Sequence, residues 1–283
     1  MAGEREGTLY LCATPLGNLE DITLRALRVL KEVDLIAAED TRITRRLLAR
    51  YAIHTPLTSY HGYNKKKKGE QLLNHLRAGK QVALVTDAGL PGVSDPGEEV
   101  VAAAVREGIR VVPVPGPNAA LTALVVSGLP TSRFCFEGFL PAAAGAREKR
   151  LQALREERRT LIFYEAPHRL RKVLADMLAV FGDRRVAVAR ELTKLHEEVW
   201  RGSLSAALAY FQEPRGEFTL VLEGAKEKIA AGGAVSREEV LREVSSLEKD
   251  GLKRREAIKE AARRLGLPSR EVYRALIEEK NGG

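Results

Sequence analysis

The chain has 283 residues, of which 45% are hydrophobic and 30% are charged. This length and composition allow a buried core in one large or two smaller domains, and they exclude a disordered tail. Lysine and arginine number 46 against 38 aspartate and glutamate residues, and the net charge of +8 permits a polyanionic partner such as RNA without requiring one.

Strands and helices alternate in the first third of the chain. The predicted elements, in chain order, are strand 8–14, helix 21–33, strand 34–39, helix 42–51, helix 69–80, strand 81–86, helix 97–108 and strand 109–115. The lysine-rich segment 63–69 is expected to be a mobile, solvated loop. Because strands alternate with helices, we expect a parallel sheet covered by helices on both faces.

A second set of strands and helices follows. Its predicted elements are helix 118–129, strand 134–140, a charged helix within 142–158, strand 159–166, helix 168–182, strand 184–193, a strand passing into a helix over 197–211, and strand 217–224. Several of the connections are short, so this second sheet can be partly antiparallel.

The C-terminal part of the chain is predicted to be helical. Ser236 and Glu239 form the sequence pattern of a helix capping box, and a glycine-containing turn precedes a basic helix that ends at Gly266. This arrangement resembles a helix-turn-helix that contacts nucleic acid, and the alternative is a solvated appendage or a dimerisation arm. The predicted domain ranges are 1–117 and 118–225 for two α/β domains, 226–235 for a linker containing Gly232 and Gly233, and 236–283 for the helical tail.

The cysteines and the apolar segments indicate the cellular compartment. Cys12 and Cys135 lie in separate apolar runs and not in a C-x-x-C pair, so we expect buried thiols in a reducing compartment. No apolar run approaches the roughly 20 residues of a membrane span. The N-terminal sequence MAGEREG is too polar and too acidic for a signal peptide. We therefore expect a cytoplasmic protein without membrane contact.

Three loops rich in glycine and proline follow strands of the first domain. They are ATPLGNLED at 13–21, TDAGLPGVSDPG at 86–97 and PGPN at 115–118. Ligands of open α/β sheets bind beyond the carboxyl ends of the strands. Glycine lets the backbone approach a ligand, and proline stiffens the loop. The three loops therefore predict a preformed pocket at one edge of the sheet.

The sequence argues against several kinds of site. The chain has neither a P-loop nor a G-x-G-x-x-G after its first strand, it has no G-x-S-x-G, and its five histidines lack metal-ligand spacing, so we expect no metal site. Asp87 and Asp95 would repel a phosphate, but they could receive an amino group or sugar hydroxyls. Each could instead cap a turn or a helix, and for Asp95 we favour the helix cap.

Six segments in order along the chain resemble the tetrapyrrole methylase superfamily. They are LYLCATPLGNLEDITLRAL, AAEDTR, TDAGLPGVSDPG, VPVPGPNAALTAL, FYEAPHR and ELTKLHEE, and the resemblance covers about residues 8–224. Many members of the superfamily have a Gly-x-Gly-Pro-Gly-Asp-like first loop and a Gly-Asp-Pro second loop. This chain has Ala-Thr-Pro-Leu-Gly-Asn and Thr-Asp-Ala-Gly instead, which resembles the ribosomal RNA branch and argues against a tetrapyrrole or diphthine substrate.

The resemblance implies a fold, a cofactor and a reaction. It implies two α/β domains with S-adenosylmethionine in the cleft between them, and a homodimer. It also implies methylation of the ribose 2′-hydroxyl of a decoding-centre cytidine in the 16S rRNA of the small ribosomal subunit. By position, the resemblance implies cofactor contacts at Pro15, Leu16, Gly17, Asp87, Ala88, Gly89, Gly116, Asn118, Ala119, Phe163, Tyr164 and Thr219.

Catalytic candidates follow from the chemistry of methyl transfer to a neutral hydroxyl, which benefits from a general base or a cation beside the alkoxide. The candidates are Glu39, Glu165, Glu191 and Lys194. A lysine with a lowered pKa beside a glutamate could act as the base, and a charged lysine could hold a phosphate or the alkoxide. The alternative for Glu191 and Lys194 is a surface ion pair at a strand end.

The basic segments are candidates for binding the phosphates of RNA, with a strong dependence on salt. The residues assigned to RNA are Arg42, Arg45, Lys65, Lys66, Lys67, Arg169, Arg254 and Arg255. For the lysine run, the alternative is a role in solubility alone. Two other functions remain open: a methyltransferase with a small-molecule acceptor such as a tetrapyrrole, and a non-enzymatic ribosome-binding protein.

Overall fold

The structure, a computed structural model of the chain, describes residues 6–226 and 235–277. Two compact units are present, Met1–Ala225 and Lys226–Gly283. The first unit contains two α/β domains and the second contains helices, as the sequence predicts. Most of the predicted linker 226–235, including Gly232 and Gly233, lies outside the described residues.

The first domain is built on a five-stranded parallel sheet. Its elements are β1 (Thr8–Cys12), a 3₁₀ turn (Leu19–Asp21), α1 (Leu24–Glu32), β2 (Leu35–Ala38), α2 (Thr41–Arg50), β3 (Leu57–Ser59), α3 (Lys65–Arg77), β4 (Gln81–Val85), α4 (Gly97–Arg106) and β5 (Arg110–Val114). The strand order is β3-β2-β4-β1-β5, and every neighbouring pair is parallel. All five residues of β4 are buried, because apolar clusters cover both faces of the sheet.

The second domain carries a mixed sheet. Its elements are α5 (Ala119–Val126), β6 (Phe134–Phe139), α6 (Ala144–Ala153), β7 (Thr160–Glu165), α7 (Pro167–Phe181), β8 (Arg185–Arg190), β9 (Glu198–Ser203), α8 (Leu204–Tyr210) and β10 (Phe218–Leu222). The strand order is β6-β7-β10-β8-β9, in which only β6 and β7 are parallel. The prediction of a partly antiparallel second sheet is confirmed.

The lysine-rich segment forms the first turn of α3 and is not the solvated loop that the sequence suggested. Two side-chain contacts hold this turn: Lys65 forms an ion pair with Glu99, and Lys68 Nζ lies 3.2 Å from Thr58 Oγ1. Thr58 belongs to β3, a short strand that the sequence reading missed. Lysine is a good helix former, so packing of the following apolar residues onto the sheet extends the helix back through the lysine run.

The C-terminal unit contains three helices among its described residues, α9 (Arg237–Lys249), α10 (Arg254–Leu265) and α11 (Ser269–Ile277). The predicted capping box is confirmed: Ser236 Oγ accepts from the Glu239 amide at 3.2 Å, and Glu239 Oε2 accepts from the Ser236 amide at 2.9 Å. A small apolar core around Val244 and Ala261 joins the helices. Within the described ranges, no helix is both long enough and apolar enough to cross a membrane.

The two cysteines differ in burial. Cys12 on β1 is fully buried, and burial raises the pKa of its thiol to about 12. Cys135 is only partly buried, because β6 is an edge strand, so the prediction of burial is confirmed for Cys12 alone.

A thiol titration should therefore distinguish the two cysteines. In the native protein we expect an aromatic disulfide reagent to modify Cys135 slowly and to leave Cys12 unmodified, because the thiolate is the reactive form and Cys12 is buried. Both thiols should react at once in denaturant. Mass spectrometry of tryptic peptides would assign each label, and early modification of Cys12 in the native protein would contradict the structure.

Candidate ligand-binding cleft

The loops after β1 and β4 are joined to each other by backbone hydrogen bonds. Thr14 and Gly89 form an antiparallel bridge, in which the Thr14 amide donates to the Gly89 carbonyl at 2.9 Å and the Gly89 amide donates back at 3.0 Å. The Thr14 hydroxyl also donates to the Thr86 carbonyl at 3.0 Å. Gly89 has a φ of +84°, a conformation that favours glycine. The predicted rigid edge of the sheet is therefore assembled from two glycine-containing loops.

The loop after β2 is fastened to the same edge by carboxylates. Glu39 Oε2 accepts from the Thr86 hydroxyl at 2.6 Å, and Asp87 Oδ1 accepts from the Asp40 amide at 2.9 Å. Burial raises the pKa of Asp87, and the neighbouring carboxylates of Glu39 and Asp40 act in the same direction. Asp87 thus lies in a locally negative environment that favours a cationic partner.

Asp95 holds its own loop together. Its carboxylate accepts from the Gly92 amide at 2.9 Å and from the Gly97 amide, at the start of α4, at 2.7 Å. The N-cap residue of α4 is Pro96, one residue after Asp95, so the predicted N-cap role of Asp95 is not confirmed. Asp95 instead closes the turn that leads into α4, and it also borders the cleft. Burial raises the pKa of this carboxyl group.

A cavity of about 400 Å³ lies between the walls of the two domains. From the first domain it is lined by the loop residues around Asp87. From the second domain it is lined by the start of α5 and by the ends of β7 and β10, including Tyr164 and Thr219, which are paired across the sheet. A smaller cavity of about 230 Å³ adjoins it, shares Leu16, Thr86 and Asp87 as lining residues, and extends along α2.

Most of the residues assigned to the cofactor line one of these cavities. The larger cavity is bordered by Leu16, Asp87, Ala88, Gly89, Asn118, Ala119, Tyr164 and Thr219. Pro15 and Gly17 border the smaller one. The Asn118 side chain also caps α5 by accepting from the Leu121 amide at 2.9 Å, so it fixes the helix that forms part of the wall.

Two of the assigned residues do not line either cavity. Phe163 is fully buried in the core on the opposite face of β7, because successive residues of a strand point to opposite faces of the sheet. Gly116 packs against Ala13, and an added Cβ would lie 2.9 Å from the Ala13 Cβ. The structure therefore places these two residues in support of the walls.

Glu191 and Lys194 form an ion-paired cluster outside the cavity lining. Lys194 Nζ lies 3.0 Å from Glu191 Oε1 and 3.0 Å from Glu217 Oε2. Partial burial lowers the pKa of Lys194, but hydrogen bonds with both glutamates outweigh it and raise the pKa above its ordinary value. A general-base role would need a lowered pKa, so the raised pKa favours the alternative of a charged lysine that holds a phosphate or the alkoxide.

The cluster joins the two domains. An added Cβ on Gly17 would lie 2.2 Å from Lys194 Cγ, so the lysine stem packs directly on this glycine. The Thr193 hydroxyl accepts from the Asn18 amide at 3.2 Å. These contacts indicate a positioning role for the loop after β8. Partial burial raises the pKa of Glu191, but its hydrogen bonds with the Glu217 amide and Lys194 outweigh it, so the pKa is lowered.

Glu165 differs from the other catalytic candidates in its surroundings. It lines the larger cavity, and it is only 2% exposed. Its Oε1 accepts from the Ala166 amide at 2.9 Å and lies 3.3 Å from Arg169 Nε. Burial raises the pKa of this carboxyl group above its ordinary value.

The residues assigned to RNA are not equally available. Arg45, Lys66, Lys67 and Arg255 are exposed, as are Arg42, which pairs with Asp40 at 2.6 Å, and Arg254, which pairs with Glu248 at 3.7 Å. Lys65 is half-buried beside Glu99. Arg169 is also half-buried, with Nη2 donating to the Leu140 carbonyl at 2.7 Å. These contacts indicate that Arg169 supports Glu165, and its assignment to RNA stays a prediction.

Sequence reasoning missed several residues of the cleft. Glu217, Ser94, Phe139 and Leu192 line the larger cavity, and Arg46 lines the smaller one. Ser94 has a φ of 63°, which is uncommon for a residue other than glycine. Nothing in the local sequence marks Phe139, which continues an ordinary apolar run, or Leu192, which lies among charged and polar residues. Among the described residues, no group of three or more histidine, cysteine, aspartate or glutamate side chains could hold a metal ion.

The family model for Tetrapyrrole (Corrin/Porphyrin) Methylases matches residues 8–208. Two similar proteins are both called ribosomal RNA small subunit methyltransferase I. The one from Halalkalibacterium halodurans is 49% identical over 97% of this chain and 96% of its own length, and the one from Synechocystis sp. is 49% identical over 98% and 100%.

A solved structure with a similar fold is uroporphyrin-III C-methyltransferase from Thermus thermophilus in complex with S-adenosylhomocysteine. It superposes with a TM-score of 0.55, is 24% identical, and covers 77% of this chain and 97% of its own.

Proposed function

This chain belongs to the tetrapyrrole methylase family, and on that premise we propose that it transfers a methyl group from S-adenosylmethionine to ribosomal RNA of the small subunit. The acceptor in this proposal is the ribose 2′-hydroxyl of a decoding-centre cytidine in 16S rRNA. The observation that carries the proposal is the cleft of about 400 Å³ whose two walls come from different domains.

The residues of the cleft fit the chemistry of this cofactor. Bound S-adenosylmethionine would supply an activated methyl group on a positively charged sulfur. Asp87, with the carboxylates of Glu39 and Asp40 beside it, provides a negative environment for a cationic group. Leu16, Ala119 and Tyr164 offer apolar and aromatic surface for a purine. The protein's main task is then to align the two reacting atoms.

Exposed basic side chains favour RNA as the acceptor over a small molecule. Arg45 lies on α2, the helix that borders the smaller cavity, and Lys66 and Lys67 lie at the start of α3. Such side chains bind phosphates without reading sequence. We further propose that Arg254 and Arg255 of the helical unit contact RNA, that the protein acts as a homodimer, and that it works in the cytoplasm, where the ribosomal substrate is present.

The test is a transfer assay with S-adenosylmethionine labelled in its methyl group and small ribosomal subunits that lack the modification. We expect the label in one cytidine of 16S rRNA, resistant to alkaline hydrolysis at the following phosphodiester because the 2′-hydroxyl is blocked. Label confined to a base would contradict ribose methylation. Label found only in a small molecule would contradict the proposal and favour a methyltransferase with a small-molecule acceptor. Binding of S-adenosylhomocysteine without any transfer would favour a non-enzymatic ribosome-binding protein.

The basic surface predicts a specific dependence on salt. Replacing Lys66 and Lys67 together by alanine should weaken RNA binding at low salt. It should also reduce the slope of log affinity against log salt by roughly 1–2. Affinity for S-adenosylhomocysteine should not change, because neither lysine lines the cleft. Filter binding across a salt series would measure this slope. A double variant of Lys149 and Lys172, on other helices, serves as the control for general loss of charge.

A further inference from the structure

One oxygen of the Glu165 carboxylate is buried without a hydrogen-bond partner, which is energetically unfavourable. Oε2 is buried and makes no hydrogen bond with any of the residues that the structure describes. A buried acceptor without a partner destabilises the protein, and more so when the group is charged. Glu165 lines the larger cavity, so a ligand bound there can bring a donor to this oxygen.

The rest of the carboxylate is held in place. Oε1 accepts from the Ala166 amide, at the beginning of α7, and faces Arg169 Nε at 3.3 Å. Arg169 is itself fixed by the Leu140 carbonyl at 2.7 Å. These contacts hold the carboxylate through Oε1 and leave Oε2 as the oxygen that a ligand in the cavity can meet.

The charges around Glu165 favour a neutral donor over a cation. Arg169 contacts the carboxylate directly, and Arg147 and His168 add favourable charge nearby. Across the cleft, by contrast, Asp87 is surrounded chiefly by other carboxylates, with Arg42 opposing them. A cationic group is thus better stabilised beside Asp87. The carboxylate of Glu165 already has cationic neighbours, so a neutral hydrogen-bond donor such as a hydroxyl suits it better.

We propose that Glu165 Oε2 accepts the proton of the acceptor hydroxyl during methyl transfer, and so is the general base of the reaction. As the hydroxyl oxygen forms its bond to the methyl carbon, the electron pair of the methyl–sulfur bond stays on sulfur and the hydroxyl proton moves to Oε2. Arg169 acts as a positioning residue that holds the carboxylate. This inference rests on the proposed function.

The raised pKa of Glu165 gives the proposal a measurable signature. The base is active only when ionised, so the rate at saturating substrates should rise with pH through a pKa above the ordinary glutamate value. The Glu165→Gln variant keeps an acceptor for the Ala166 amide and for Arg169, so we expect it to fold. We expect kcat to fall by about 10²–10⁴-fold and the pH dependence through that pKa to disappear.

Three measurements decide the role of Glu165. In Glu165→Gln, the Kd for S-adenosylhomocysteine and the KM for RNA should stay within about threefold of the parent values, and Tm at pH 7 should not fall. In Glu39→Gln, a second carboxylate of the cavity, the pH dependence should persist. A normal kcat with a higher Kd or KM would overturn the proposal and assign Glu165 to binding. A retained pH dependence with a lower Tm would assign it a structural role.

Failure of this inference is distinguishable from failure of the proposed function. If the parent protein methylates no RNA, the proposed function is wrong, and the kcat values of the parent and Glu165→Gln cannot be compared. If the parent protein methylates RNA and Glu165→Gln does so equally well, only the assignment of the base fails.

Discussion

Replacing Phe163 by alanine is expected to lower the free energy of unfolding of the α/β unit by about 3–5 kcal/mol. Phe163 has no solvent exposure and packs in the core of the second domain, beside its strand partner Leu220. Truncation would remove most of the ring's contacts and leave a cavity that the sheet cannot fill. Urea denaturation followed by circular dichroism would measure the loss.

The neighbouring residue provides the matched control. Tyr164 faces the cleft and lies near Phe136 and Phe139, with ring centroids 5.1 and 5.6 Å away. Tyr164→Leu should lower stability less than Phe163→Ala does. It should weaken the binding of S-adenosylhomocysteine by about tenfold at most, which corresponds to the loss of one aromatic contact. A Phe163→Ala variant that remained stable and lost cofactor affinity would contradict the orientation of β7.

Asp87→Asn should weaken binding of S-adenosylhomocysteine by roughly 10–100-fold. The estimate follows from about 1.5–3 kcal/mol for a hydrogen bond to a charged group. Asparagine retains the oxygen that accepts from the Asp40 amide, so the loop should keep its shape. Burial raises the pKa of Asp87, and affinity of the parent protein should therefore decrease as the pH falls through that raised value.

Isothermal titration with two ligands would identify the group that Asp87 binds. Adenosine lacks the ammonium and carboxylate of the amino-acid portion, so its affinity should be the same for the parent protein and for Asp87→Asn. An equal loss for both ligands would instead assign Asp87 to the sugar hydroxyls. Glu217→Gln is a useful control, since Glu217 also lines the cavity and its side chain is 73% exposed and paired with Lys194.

Hydrophobic periodicity predicted the long helix α7, whose buried residues recur at helical spacing. The central strand β4 was predicted from a continuous run of residues, all of which are buried. The strand β3 was missed because it has three residues, too few to show a period. The lysine run was misassigned because charge suggests solvation, whereas the contacts that make it helical come from Glu99 and Thr58, which are distant in sequence.

For the cleft, the loops were predictable and the partners of individual side chains were not. Glycine and proline identify a rigid loop locally, and the structure brings the loops after β1, β2 and β4 to one edge. Glu191 and Lys194 are three residues apart, so their pairing could be predicted from the sequence. Glu217, which completes it and keeps the lysine protonated, is contributed by a distant segment. The unpartnered Glu165 oxygen likewise depends on three-dimensional packing.

The division of the cleft between two domains also affects how the protein matures during synthesis. The lining from the first domain is complete when residue 95 has been made, but the lining from the second domain needs Tyr164 and Thr219. A nascent chain that ends before Thr219 has a folded first sheet and only half of a binding site. Ligand binding stabilises only a state that contains the site. The first domain must therefore rely on its own core on the ribosome, and cellular cofactor can stabilise the protein only near the end of translation.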